Sequence, residues 1–208
     1  MADENLLKRM APNSREAEQS VIGAMLMDKE AIEVASEIIN PEDFYKDEDV
    51  VITISHLGYI KRTPLTEFRT QNRGGVGMKG VATRDSDFIE HIYVANMHST
   101  MLFFTAKGMC YRIKVYELPE GNRSSKGRVI RNLRPIEADD SIITYLNAKS
   151  IEDKEYTDSH YVVMVTREGV IKKTLLTEYA NSRTRNKGIT AIIAATCKNT
   201  YTFFGSTF

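Results

Sequence analysis

The stretches VITISHLG (residues 51–58), MLFFTAKG (101–108) and VVMVTREG (162–169) each run seven strand-like residues into a glycine. Counting forward from Gly58, Gly108 and Gly169 gives one ruler three times. Four residues on stands a base: Arg62, Arg112, Lys173. Nine on stands an acid (Glu67, Glu117, Glu178), and ten on a large apolar or aromatic residue (Phe68, Leu118, Tyr179). Nineteen on stands a second glycine: Gly77, Gly127, Gly188. Self-similarity at this spacing is the mark of a repeat architecture, so the repeat is the unit of the fold. The copies start 50 and 61 residues apart, and the excess falls in the polar stretch NAKSIEDKEYTDS (147–159), which reads as an inserted loop.

Each unit reads as strand, turn at the glycine, second strand, polar glycine-ended loop and a further apolar strand such as FIEHIYVA (88–95) or SIITYL (141–146). Multi-strand units of roughly 40–50 residues without helical periodicity point to radial β arrays. The expected fold is therefore mainly β: about three propeller-like, four-stranded blades in an incomplete set, over units of about 47–97, 98–148 and 159–208. The loops QNRGGVG (71–77), GNRSSKG (121–127) and SRTRNKG (182–188) occupy one place in successive units. Side by side on one rim, their bases would form a track suited to a nucleic-acid backbone. In the first loop, glycines at 74, 75 and 77 bring main-chain N–H groups close to a ligand.

Residues 1–46 differ in kind. Ser14 followed by Glu16 and Glu18, with Val21, Ile22, Met25 and Leu26 beyond, predicts a capped amphipathic helix. Ile32, Ala35, Ile38 and Ile39 predict a second that stops before Pro41. Residues 1–50 hold 5 basic against 13 acidic side chains and residues 51–208 hold 23 against 15, so a formal net charge of zero divides into −8 and +8. The basic piece suits a polyanion.

Other chemistries find little support. No GxxxxGK[ST] loop occurs, and His56, His91, His98 and His160 have no Cys or acid at ligand spacing. No Ser/His/Asp or Cys/His arrangement stands in a supporting motif, so neither a catalytic residue nor a metal or other cofactor is expected. Two cysteines without a CxxC fit reduced thiols. No apolar run reaches the length of a membrane span or a secretory signal, and the cytoplasm is the expected compartment.

The run EDVVITISHLGYIKRTPLTEFRTQNRGGVGMKG (48–80) resembles the C-terminal domain of DNA gyrase A, and QNRGGVG is similar to its signature box, usually written QRRGGKG. The resemblance covers about residues 47–193. It implies a β-pinwheel, normally of six blades, that binds and wraps duplex DNA in bacterial cytoplasm at the nucleoid, as part of a type II topoisomerase and alongside the other gyrase subunits. On that resemblance the DNA-binding box is Gln71, Asn72, Arg73, Gly74, Gly75, Val76 and Gly77, with Asn72 and Val76 replacing bases of the usual pattern. The phosphate contacts are Lys79, Arg112, Lys114, Arg123, Lys126, Arg128, Arg131, Lys172, Lys173, Arg183, Arg185 and Lys187. Residues 11–45 resemble the start of the N-terminal domain of the bacterial replicative helicase, whose helices contact primase. The chain reads as a composite of the two families. The rival readings are a propeller-like scaffold for protein interaction and a helicase-related fragment that contacts primase. Unclosed blade edges would also invite pairing with a second copy.

Overall fold

The computed structural model describes residues 14–68, 86–166, 169–180, 188–191 and 200–206. The chain forms two compact units, Met1–Glu48 and Asp49–Phe208. In the first, α1 (Arg15–Met27) begins where the Ser14 hydroxyl accepts the Ala17 N–H at 3.3 Å. Asp28 ends it and caps the next helix, α2 (Lys29–Ile38), by accepting from the Glu30 N–H at 2.9 Å. A 3₁₀ turn over Pro41–Phe44 follows. Neither helix has a buried residue, and Leu26, Met27 and Ile38 are largely exposed.

The second unit is built from short antiparallel strands. β1 (Asp49–Ser55), β2 (Tyr59–Pro64) and β3 (Ile89–Asn96) belong to the first repeat. β4 (Thr100–Thr105), β5 (Met109–Lys114), β6 (Arg128–Val129) and β7 (Ile142–Ala148) belong to the second. In the third are β8 (His160–Thr166), β9 (Ile171–Leu175), β10 (Ile189–Thr190) and β11 (Thr200–Ser206). The glycines closing the first hairpins, Gly58, Gly108 and Gly169, have φ of 80°, 79° and 83°, a region that side-chain-bearing residues avoid.

Sheet membership does not follow the repeat boundaries. The first sheet has the order β3-β1-β2-β6 and the second β10-β5-β4-β7. Each blade thus takes three strands from its own unit and its fourth from the unit that follows, whereas the sequence pattern places all four strands in one unit. The borrowed strands are two residues long. β6 pairs Val129 with Tyr59, and β10 pairs Ile189 with Cys110. A further bond closes each splice in the same way: Ile130 donates its N–H to the Gly58 carbonyl at 3.0 Å, and Ala191 donates to Gly108 at 2.8 Å. The third sheet is three-stranded among the described residues, in the order β11-β8-β9.

Two apolar cores separate the three blades. Alternation along β4 divides one strand between them: Met101 and Phe103 enter the core shared with blade 1, Leu102 and Phe104 the core shared with blade 3. Each of these side chains is at most 2% exposed, and burial of one such residue stabilises by about 1.5–3 kcal/mol. The stretch 147–159 is not the plain loop expected from its polarity. Ile151 is buried in the second core, and Asp153 caps α3 (Lys154–Ser159) by accepting from the Glu155 N–H. Cys110 also lies in that core, and burial pushes its thiol far above the usual range, which leaves it inert.

The glycine before β6 lies close against backbone. Gly127 has φ +75°, and a Cβ there would lie 2.5 Å from the Ile60 carbonyl oxygen of the preceding blade. Gly58, also at positive φ, has nothing within 4 Å of that position. Gly58→Ala is therefore expected to cost about 1 kcal/mol from backbone strain alone. Gly127→Ala adds the displacement of a backbone strand and should cost about 3 kcal/mol or more. Thermal unfolding checks this, with Gly127→Ala losing several degrees more than Gly58→Ala.

Candidate nucleic-acid interface

The described loop 121–128 shows how a basic rim is built. Its own turn is fixed by Asn122, whose Oδ1 accepts from the N–H of Ser124 at 3.0 Å and of Ser125 at 2.9 Å. The preceding blade then holds it in place. Lys61 sends its Nζ into the loop and donates to the carbonyls of Asn122 (2.8 Å), Arg123 (3.2 Å) and Ser125 (2.6 Å). Thr63 donates to the Gly121 carbonyl at 2.8 Å, and the Glu67 carboxylate accepts the Arg123 N–H at 3.2 Å. Lys61 is 3% exposed, and its burial lowers the amine below the usual lysine range. Its three carbonyl partners satisfy the buried amine. On the outer side, Lys126 and Arg128 are exposed and form no ion pair among the described residues, with half-buried Arg123 three positions before Lys126. Three bases thus stand within six residues on a backbone anchored from beneath.

The other candidates divide. Arg112 donates to the Ala180 carbonyl at 2.8 Å, and its own carbonyl accepts from Arg134 Nε. Lys114 pairs with Glu152 at 2.6 Å. Arg131 donates to the carbonyls of Ala138 and Asp140, and Lys172 to that of Ala191. Lys173 lies 3.8 Å from the centre of the Tyr161 ring. These five side chains are engaged within the chain and are not gathered on the loop with Lys126 and Arg128. Residues 71–77, Lys79, Arg183, Arg185 and Lys187 lie outside the described residues.

The base four residues after each turn glycine explains part of the ruler. Arg62 is 7% exposed; its Nε donates to the Leu118 carbonyl at 2.9 Å and its Nη2 pairs with Glu120 at 3.0 Å. Arg112 also reaches the next unit, its Nη1 donating to the Ala180 carbonyl. This base grips the next blade. The acid at nine differs between units: Glu67 accepts the Arg123 N–H of the next unit, whereas Glu117 pairs with Arg134 of its own unit. Leu118 and Tyr179, at ten, are 1% and 2% exposed. Lys61 carries no signal in the threefold pattern because the matching position is basic in the third unit, Lys172, but Tyr111 in the second.

Comparison with known proteins accords with this blade construction. The family model described as "DNA gyrase C-terminal domain, beta-propeller" matches residues 49–96, 99–144 and 160–200. The chain belongs to this family. A second model, "DnaB-like helicase N terminal domain", matches residues 10–52. Among curated relatives, the DNA gyrase A protein of Halalkalibacterium halodurans is 43% identical over 155 residues, and that of Salmonella typhimurium 45% over 154. Each alignment covers 74% of this chain but only 18% and 17% of the relative, so the chain spans under a fifth of their length. Two solved structures are similar. The C-terminal domain of DNA topoisomerase IV matches with TM-score 0.55 at 31% identity, covering 69% of this chain and 41% of that one. The gyrase A C-terminal domain matches at 0.53 and 25%, covering 70% and 43%.

The division of the bases predicts separable effects on stability. Arg62→Ala would leave the buried Leu118 carbonyl without its donor and should cost about 1–3 kcal/mol. Lys126→Ala and Arg128→Ala should stay within about 0.5 kcal/mol of the parent. Chemical denaturation of the three variants measures both.

Proposed function

We propose that the chain is a non-catalytic, sequence-independent module that binds and wraps duplex DNA, in the manner implied by its family, through the rims of blades spanning residues 47–208. The observation that carries this reading is the loop 121–128, whose backbone is fixed by Lys61, Thr63 and Glu67 while Lys126 and Arg128 face outward. Bases held on a rigid loop meet phosphates without paying for their own ordering, and phosphate contacts position a duplex without reading its sequence. The box at Gln71–Gly77 and the bases Lys79, Arg183, Arg185 and Lys187 complete the proposed track at the same place in the other two units.

The family match is to a C-terminal domain, and this proposal assigns the chain no reaction, metal or cofactor. Contact with other gyrase subunits follows from the relatives, and contact of the helical leader, residues 1–46, with primase follows from its resemblance to the helicase domain. Bacterial cytoplasm at the nucleoid is the setting this implies; no helix among the described residues is long and apolar enough to cross a membrane. Pairing with a second copy through the open blade edges belongs to the same reading. The rival is a protein-interaction scaffold. It gains from the engagement of Arg112, Lys114, Arg131 and Lys172 within the chain.

Binding measured over a salt series tests the proposal. The log–log slope should be about −0.9 per phosphate contact, so the combined Arg123→Ala, Lys126→Ala and Arg128→Ala variant should lose roughly 2 to 3 from its magnitude. An unchanged slope would favour the scaffold. Wrapping is read separately from topoisomer shifts after plasmid relaxation. Replacing residues 71–77 by alanine should diminish those shifts more than it diminishes affinity.

A further inference from the structure

Lys61 does more than hold the loop 121–128 in place; it fixes which way the peptides of that loop face. An ammonium group has three donors and no acceptor, and here all three go to main-chain carbonyls: Asn122 at 2.8 Å, Arg123 at 3.2 Å and Ser125 at 2.6 Å. Three C=O groups therefore point inward, at a residue that is 3% exposed. These peptides are trans, and in a trans peptide the N–H stands opposite the C=O, so the N–H groups of Arg123, Ser124 and Lys126 point away from Lys61. Two of them find acceptors. Arg123 donates to the Glu67 carboxylate at 3.2 Å and Ser124 to Asn122 Oδ1 at 3.0 Å. The Lys126 N–H has no acceptor among the described residues, and the side chains of Lys126 and Arg128 are exposed.

The next joint is built without this device. Tyr111 stands where Lys61 stands, three residues after the turn glycine, and its ring lies against Gly188. Its one O–H donates to the Pro135 carbonyl at 3.4 Å, within its own unit. A phenol cannot turn three carbonyls inward.

We infer that the Lys126 N–H is a phosphate ligand, an uncharged donor to a backbone oxygen of the duplex beside the Lys126 and Arg128 side chains, and that Lys61 is the positioning residue that aims it without touching DNA. This rests on the DNA-binding reading and adds to it a main-chain donor that no count of charges reveals. An N–H bonded to a phosphate oxygen is charge-assisted, yet it brings no cation to the phosphate and so releases no counterion. Its share of the affinity does not depend on salt. The exposed bases therefore set the slope of the log–log salt line, and Lys61 sets its height.

Two measurements on the 208-residue chain test this. In amide-resolved NMR, saturating duplex DNA of random sequence should move the Lys126 N–H proton downfield, and the Arg123, Ser124 and Ser125 amides, already bonded within the chain, should move less. Over a salt series, Lys61→Met should lower the affinity about tenfold at every salt concentration, giving a line parallel to that of the parent. The same variant should lose the Lys126 shift, and circular dichroism checks that it is folded. An unmoved Lys126 amide in the saturated parent complex would overturn the inference, and that readout holds whether or not Lys61→Met folds. So would a folded Lys61→Met variant whose line coincides with the parent's. A flatter line would overturn it too, because Lys61 would then be a phosphate contact itself. These outcomes leave the DNA-binding reading standing wherever the parent's slope still depends on Arg123, Lys126 and Arg128. A parent whose slope ignores those three bases removes that reading, and this inference with it.

Discussion

The contact between Gly127 and the Ile60 carbonyl is where one repeat unit becomes part of another. A side chain at 127 would push the two strands apart, and β6 could then no longer complete the first sheet. Once the strand is in place, the rest of the joint follows from it. Ile130 bonds to Gly58, Arg62 reaches Leu118 and Glu120, and Lys61 fastens the loop before the glycine. The next joint repeats the pattern with local substitutions. Gly188 lies against the Tyr111 ring, where a Cβ would meet ring atoms at 2.8 Å, and Arg112 holds Ala180. Neither of the first two blades is closed by its own unit alone, and the contacts that join blade 1 to the next unit also seat the loop 121–128.

This coupling explains how a loop rich in glycine, serine and asparagine can hold a defined surface. Such segments gain little from burial and lose much entropy when ordered. Here the ordering comes from the neighbouring blade: a buried amine bonded to three loop carbonyls, a threonine hydroxyl and a carboxylate. The loop's own charges remain available at Lys126 and Arg128. One base therefore anchors from within while others face the solvent, and the same residue type serves two ends a few residues apart.

Much of this is legible in the sequence, because a repeat read three times separates signal from local accident. Strand order within each unit, the turn glycines and the helical start at Ser14 all follow from short-range physics: a positive φ, an alternation of period two, a cap. What is not legible is what reaches between units. The base four residues after the turn glycine has no local signal to tell a clamp from a phosphate contact, and Arg112 reads as the second while its guanidinium donates to Ala180. The splice itself is two residues long, too short for any periodicity to reveal. The stretch 147–159 misleads for a related reason. Its polarity hides Ile151, one buried residue that anchors the segment in the second core.

The central claim is that the repeat ruler joins blades while the loops between its glycines face DNA. Hydrogen exchange of the chain with and without duplex DNA tests it directly, since each amide reports its own segment. DNA should slow exchange across 121–128 and leave the core strands β2 and β5 unchanged, with β1 and β4 equally unaffected. If protection instead falls on β2 and β5 around Arg62 and Arg112, and the loop exchanges as before, the bases have been assigned to the wrong roles and the account fails.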